Sequence, residues 1–341
     1  MPGSGVKTTV VGSYPVPEWL KRVTDEEALG DALTVVMDAQ VRAGIDVISD
    51  GELDRWDLAR NAPGGMVERF VRPLEGVQGE PTRRQLAAYA SREEVAYRRR
   101  PPGVVVGPLG EAGLDLQRGF DRARARTDAP LKLTISSPYL IPRVLADDFY
   151  HDFEALLMAV AGVLAAQLDG IDAAVIQVDE PHLPGNSGGS DLAAAAINLV
   201  LSSSPPDTER AVHLCFGNYL GQTVQRGTYD KLLGFLDALE CHHLVLETTR
   251  RPPTEIERLR EVRSGLRFAV GVIDVKDLQI EDPDMVARRI EQLAQTLGEQ
   301  RIAYVNPDCG LGVLPRGVAD GKLRALVGGR DRFLGRSHNQ G

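Results

Sequence analysis

Eight short runs of aliphatic and β-branched residues alternate along this chain with amphipathic helical runs, and no other feature restricts the fold as much. The strand-like runs span residues 7–13, 46–50, 132–136, 173–178, 211–216, 244–248, 268–273 and 303–306. Most are continuous Val/Ile/Leu stretches, as expected for parallel strands covered on both faces. Helical stripes lie between them. Asp282-Pro283 reads as a capping aspartate followed by a proline at the first helical position, and Val286, Ile290, Leu293 and Leu297 then line one face. Phe153, Leu156, Leu157, Val160, Leu164 and Leu168 form a second stripe, and Leu232, Leu233, Leu236 and Leu239 a third. Eight β–α units in series predict a (β/α)₈ TIM barrel, with an open doubly wound sheet as the alternative. No GxGxxG-type loop follows the first run, which disfavours a dinucleotide-binding version.

The length of 341 residues fits one such barrel over 1–330, with a polar tail at 331–341 expected to be flexible. Residues 70–130 break the alternation and are expected as an insertion between the second and third strands, with a helix and a hairpin near Val104. Within it, Arg98, Arg99 and Arg100 precede Pro101-Pro102 and read as a solvated helix end.

Three cysteines, Cys215, Cys241 and Cys309, are too few for a disulfide scaffold. A net charge of -9 argues against nucleic acid or an anionic membrane as partner. No apolar run reaches the ~18 residues of a membrane span, and the N-terminus lacks a signal-peptide pattern, so a reducing cytoplasm is expected.

In a barrel, reactive groups sit at the C-terminal ends of strands. The fifth run ends in His213-Leu214-Cys215, the sixth in Glu247, and the eighth in Asn306-Pro307-Asp308-Cys309-Gly310. His213 and Cys215 are two apart, so on a strand both face one side, and imidazole with thiolate is half of a tetrahedral zinc site. Taken singly, a strand cysteine is more often a small buried hydrophobe, and a strand-end glutamate a salt-bridge partner. Carboxylates form a second cluster: Glu52 closes the second run, and Asp179 and Glu180 the fourth. They would suit a cationic group such as an amino acid's ammonium, or alternatively hold loop amides. Gly12-Ser13 ends the first run, where a hydroxyl and backbone amides suit a carboxylate. Cys241, at the start of the sixth run, faces the opposite end of the barrel and reads as structural. His182 reads as a loop residue, and Asp50, Asp274, Asn306 and Asp308 as groups that orient neighbours.

The segments VVGSYP, SDGE, QVDEP, HLCFGN, LETTR, GVIDVK and NPDCGLG, in this order, resemble the catalytic half of cobalamin-independent methionine synthase. The resemblance runs from about residue 7 to 316 and implies a (β/α)₈ barrel. It implies one zinc ion (Zn2+) held by His213, Cys215, Glu247 and Cys309, and a homocysteine-like thiol whose backbone is held by Ser13, Glu52 and Asp179, beside the Gly12 of the same strand end. Free thiols have a pKa of ~8.5, and coordination to zinc deprotonates them outright, making the nucleophile for attack on a methyl group. Glu247, the weak ligand, is expected to leave when the thiol arrives.

Three departures bear on the methyl donor. Long members of the family carry an additional N-terminal barrel, whereas the length here leads to the expectation of the catalytic barrel alone. The folate users tend to place a tryptophan after the third strand, but Trp19 and Trp56 are the only tryptophans. Where the long enzymes have a proton-donating histidine in a DxH context, this chain has Asp274-Val275-Lys276. Asp274 and Lys276 thus become the candidate catalytic pair, Lys276 protonating or neutralising a leaving group or binding an anion; the alternative is a solvent lysine. The function expected is a zinc-dependent thiol methyltransferase, with methyltetrahydrofolate or a methylated corrinoid as donor and a methyl-carrier protein as a further partner. Two alternatives share the barrel: a thiol alkyltransferase or C–S lyase of the epoxyalkane–coenzyme M transferase type, and a non-catalytic barrel with structural zinc.

Overall fold

A computed structural model describes residues 5–23, 25–57, 62–63, 65–92, 95, 98–110, 113–185, 187–218 and 225–336. Eight parallel strands form the centre: β1 Lys7–Thr8, β2 Ile48–Ser49, β3 Leu131–Ser136, β4 Val175–Glu180, β5 Glu209–Leu214, β6 His243–Leu246, β7 Arg267–Ile273 and β8 Ile302–Pro307. Their spatial order is β1-β8-β7-β6-β5-β4-β3-β2. A parallel bridge between Thr9 and Val47 joins the two ends of this sheet and closes the barrel. β4 runs two residues past its sequence-expected end and β5 stops two short of its own, and Asp179 is the register partner of His213 within the sheet.

β1 and β2 are each two residues long, and side chains extend their pairing. Asp46 Oδ2 accepts from the Thr8 backbone N–H at 2.7 Å and from the Thr8 hydroxyl at 2.9 Å. The Thr9 hydroxyl donates to the Val47 carbonyl at 2.9 Å, and Ser49 Oγ to the Gly12 carbonyl at 2.6 Å. Arg330 anchors the same Asp46 at 2.6 Å.

A helix follows each strand: α1 Glu26–Ala43, α2 Leu116–Arg124, α3 Phe153–Ala166, α4 Ser190–Ser202, α5 Leu233–Ala238, α6 Pro253–Arg258, α7 Pro283–Leu297 and α8 Arg316–Phe333. Aspartates open several of them, because a carboxylate accepts the otherwise unpaired N–H groups of a first turn. Asp25, Asp152 and Asp282 do so for α1, α3 and α7. Gly44, at φ 85, ends α1 in the left-handed conformation that glycine takes without steric cost. In α7 the buried residues are Val286, Ile290, Leu293 and Leu297, the stripe expected from sequence. The stripe around Leu232 is divided: Tyr229–Leu232 is a 3₁₀ turn, and α5 holds only six residues. α8 runs through Phe333, into the stretch expected as a tail, and residues 337–341 lie outside the described residues.

The excursion between β2 and β3 begins earlier than expected from sequence. A 3₁₀ turn at Leu53–Arg55 opens it, and its strands Glu75–Gln78 and Val104–Gly110 form a small separate sheet with Ala146–Asp147, which comes after β3. The first two pair antiparallel and the last two parallel. α2, within the stretch expected as insertion, takes the helix position that follows β2. It packs against α1, and its first N–H donates to Gln167 beyond α3 at 3.2 Å. The arginine run is solvated, as Arg99 and Arg100 are exposed, but no described helix ends at it; Arg98 pairs with Glu68, and Arg100 with Glu80 at 3.0 Å. Among the described residues no helix is long and apolar enough to cross a membrane.

Ile290 is fully buried beneath α7, whereas Arg288 on the same helix is exposed. Ile290→Ala is therefore expected to lower stability by about 2–5 kcal/mol, and Arg288→Ala by less than about 0.5 kcal/mol. Urea denaturation of the two variants checks this.

Candidate active site

The ends of β5 and β8 bring His213, Cys215 and Cys309 together. One ligand atom from each lies within 4.8 Å of the other two, the span of a single metal ion's donors. His213 Nδ1 sits 3.0 Å from the Val245 carbonyl, which can only accept, so Nδ1 carries the proton. That leaves Nε2 with its lone pair, buried and without a hydrogen-bond partner. Cys215 donates toward Cys309, and this hydrogen bond holds the Cys309 thiol well below its ordinary range, with the His213 imidazole adding to the effect. The same sharing, with burial, pushes Cys215 up. Two facing cysteine sulfurs beside an imidazole nitrogen fit a soft or borderline dication such as zinc.

Glu247, the fourth ligand expected from the resemblance, stands outside this trio. Its Oε1 accepts from Lys276 Nζ at 2.5 Å, and its Oε2 from the Phe216 N–H at 3.4 Å. The Tyr229 hydroxyl sits 3.1 Å from both the N–H and the carbonyl of Glu247 and fixes its backbone. Lys276 is no solvent lysine: its side chain, like that of Glu247, is 3% exposed. Asp274 accepts from the Lys276 N–H at 2.8 Å and from Arg250 Nε at 2.7 Å, so it shapes the loop after β7. Asp308 accepts from the N–H groups of Thr248 at 2.9 Å and Thr249 at 3.2 Å, tying the end of β8 to the residues after Glu247. Burial pushes the Asp308 carboxyl up to about 7, against the Thr249 hydrogen bond.

The carboxylate cluster adjoins the trio, since Asp179 is the register partner of His213. Glu52 leaves β2 at φ 60, a left-handed conformation uncommon for a residue with a side chain. Asp50 accepts its N–H at 2.8 Å. From there the Glu52 carboxylate reaches the Thr134 hydroxyl at 3.2 Å and lies against Gly12, where any Cβ would run into Oε1. Ser13 Oγ accepts from the Gly312 N–H at 3.3 Å, and its carbonyl from Leu311 N–H at 2.8 Å, which places the hydroxyl against a residue three positions beyond Cys309 in the β8 loop. Glu180 has the other role open to a mouth carboxylate: its Oε1 holds the amides of His182 and Leu183 at 2.7 and 2.8 Å.

Three contributors escaped the sequence reading. Arg55 bridges the two carboxylates, 3.1 Å from Glu52 and 3.7 Å from Asp179, with its guanidinium 5.3 Å from the Phe70 ring centroid. Its only sequence signal is the i,i+3 spacing from Glu52. Gln177 donates to Asp179 at 2.7 Å and to the Val11 carbonyl at 2.8 Å. Lys132, inside the barrel, donates to Gln177 at 2.8 Å and to the Val10 carbonyl at 2.7 Å, and burial brings its amine down to about 7. Even with Arg55 opposing, burial pushes the Glu52 carboxyl up to about 7, and it raises Asp179 as well. Cys241 lies at the far end of β6, buried, with its thiol pushed up to about 12 by burial, which makes it unreactive.

The mouth of this barrel thus unites a nitrogen and two sulfur donors with two carboxylates, a hydroxyl and a buried lysine. Residues 6–329 match the family described as the catalytic domain of cobalamin-independent synthase. A methionine synthase from Sulfurisphaera tokodaii is 30% identical over 339 residues, covering 94% of this chain and 90% of the relative. One from Thermococcus kodakarensis is 28% identical, covering 94% and 91%. Among solved structures, a B12-independent methionine synthase from Shewanella sp. W3-18-1, in complex with selenomethionine, superposes with a TM-score of 0.79 at 24% identity, covering 97% of this chain and 98% of that one. The match over nearly its whole length shows that the chain belongs to the cobalamin-independent synthase family, as its catalytic domain.

Proposed function

We propose that this protein is a zinc-dependent methyltransferase that methylates the thiol of homocysteine or a closely related amino-acid thiol. The observation that carries this reading is the adjacency of the His213, Cys215 and Cys309 donors to the Ser13, Glu52 and Asp179 cluster across neighbouring strands. Relatives of similar length named methionine synthase, and the selenomethionine held by the Shewanella protein, point the same way. A bound zinc ion would supply the positive charge that keeps a substrate thiol ionised at neutral pH. His213, Cys215 and Cys309 would hold it, with Glu247 as the fourth residue that the sequence supplies.

The chain's own groups then account for selection and orientation. Glu52 and Asp179 carry two negative charges against the single positive charge of Arg55, so the cluster has room for one more cation, the substrate ammonium. The Ser13 hydroxyl, with the backbone of Gly12 beside it, would hold the substrate carboxylate. Lys132 and Gln177 keep Asp179 and the end of β1 in fixed relation. In the transfer, the substrate sulfur forms a bond to the methyl carbon as the donor's bond to that carbon breaks; the electron pair of that bond leaves with the donor, which takes up a proton if it is a folate and is left as reduced cobalt if it is a corrinoid, and the thiol proton goes to solvent. A thiol without an amino group, such as a sulfonate thiol, would leave the acidic pair without a partner, so an amino-acid thiol is the better fit.

Two outcomes test the reading. Purified protein is expected to hold about one zinc per chain, with most of it lost in Cys215→Ala and Cys309→Ala and retained in Cys241→Ala. Metal analysis and methyl transfer to homocysteine from a panel of methyltetrahydrofolate and methylcorrinoid donors check this; a zinc-free wild type of full activity would sink the mechanism. The second concerns pH. Glu52 must be ionised to bind an ammonium, and its pKa is pushed up to about 7, so the affinity for methionine, which has no titrating thiol, should fall as pH drops through that value. Glu52→Gln is expected to bind methionine about tenfold more weakly at pH 8 and to flatten this pH dependence. Isothermal calorimetry reads both effects.

A further inference from the structure

Beyond Thr9 the chain leaves the ladder of β1, and residues 10–13 belong to no strand. Backbone that leaves its sheet inside a protein must satisfy its carbonyls by other means. Here consecutive carbonyls accept from different elements. Val10 accepts from Lys132 Nζ at 2.7 Å and Val11 from Gln177 Nε2 at 2.8 Å. Gly12 accepts from Ser49 Oγ at 2.6 Å, and Ser13 from the Leu311 N–H at 2.8 Å. Ser49 and Leu311 come from β2 and the β8 loop, the neighbours of this segment on either side. Lys132 and Gln177 instead reach it from β3 and β4, through the barrel interior. Both are buried, and the two acceptors of Lys132 are neutral oxygens. The barrel thus holds an amine whose burial costs free energy that a methionine of similar length would not incur.

An ammonium only donates hydrogen bonds. Gln177 Oε1 is therefore turned toward Lys132 Nζ, at 2.8 Å, and its amide N–H groups point the other way, to the Val11 carbonyl and to Asp179 Oδ1 at 2.7 Å. Turned over, the same amide would set its oxygen against a carbonyl and a carboxylate and leave the lysine short of an acceptor. One end of this strut grips the segment that carries Ser13, and the other grips Asp179. The bond between Ser49 and Gly12 relates the same segment to β2 and Glu52; only the strut relates it to Asp179. We propose that Lys132 and Gln177 are positioning residues that fix the separation of Ser13 from Asp179, and that this separation selects α-amino acids, whose carboxylate and ammonium share one carbon. This rests on the amino-acid thiol reading above and adds to it what measures the distance between the substrate's two charged groups. A ligand held at both ends gains from the second contact only when the spacing of the sites matches its own.

The test compares methionine with β-homomethionine, in which one more methylene separates the ammonium from the carboxylate. Calorimetry on the full-length protein as purified reads both affinities. The wild type is expected to prefer methionine about hundredfold. Lys132→Met frees the Gln177 amide to turn. It is expected to cut that preference to less than about tenfold, with methionine binding weakened and binding of the homologue nearly unchanged. Gln177→Glu keeps the size of the side chain and the partner of Lys132 but, when ionised, has no N–H for Val11 or Asp179. It should lower the preference in the same way, and it serves if the lysine variant fails to fold. Equal weakening of both ligands, the mark of a merely structural role, would overturn the proposal while leaving the amino-acid thiol reading intact. So would a preference kept at its wild-type value in both variants, or a wild type that binds the two ligands alike. A wild type that binds neither methionine nor homocysteine would overturn both.

Discussion

Closure of the barrel between β1 and β2 is the constraint on which every functional contact depends. These strands are too short to hold each other by backbone pairing alone, and a single bridge, Thr9 with Val47, joins the sheet's ends. Side chains complete the seam: Asp46 with Thr8, the Thr9 hydroxyl with Val47, and Ser49 with Gly12. Arg330 of α8 ties the same Asp46 to the helical ring. The last of these seam bonds ends on the residue beside Ser13, and β2 leads directly into Glu52. Whatever fixes the seam therefore also fixes the distance between the hydroxyl and the carboxylate that face a substrate.

Charge is the second organising influence. The interior holds Lys132, Glu52, Asp179, Glu247, Lys276 and Lys322, which water would solvate far better than protein. Each is placed against a counter-charge or a saturating set of hydrogen bonds. The pairs do not lie scattered. Arg55 with Glu52 and Asp179 occupies the β2 to β4 side of the mouth, and Lys276 with Glu247 the β6 to β7 side, with the histidine–cysteine trio reaching from β5 to β8. Partial neutralisation on both flanks lets five acidic or thiol groups converge without mutual repulsion unfolding the site.

Much of this was legible in the sequence. Eight aliphatic runs and their helical partners gave the barrel, because buried parallel strands need continuous apolar residues and strand-end chemistry follows from the topology. His213, Cys215 and Cys309 stood out because their types are rare and their positions fell at strand ends. The relation between Glu247 and Lys276 was not legible: the two lie 29 positions apart, and only the neighbouring of β6 and β7 brings them together. Arg55 was hidden for another reason. It belongs to a 3₁₀ turn that sequence periodicity does not mark, and its partner Asp179 comes from two strands further round the barrel. The start of the excursion was misplaced because the 3₁₀ turn at Leu53–Arg55 leaves no periodic mark, and its end because α2, with Leu116, Phe120 and Ala123 buried, is rich in arginines and reads as polar.

The backbone of Glu52, at φ 60, has a consequence for how this site can change over time. Glycine or asparagine would relax the conformation, yet neither extends a carboxylate toward Thr134 and Arg55. Glutamate extends it but holds a backbone geometry that costs on the order of 1–3 kcal/mol. Selection for a more robust fold and selection for substrate recognition therefore oppose each other at this one position. A lineage drifting toward greater stability would lose its acidic cluster here first, while the barrel around it persisted.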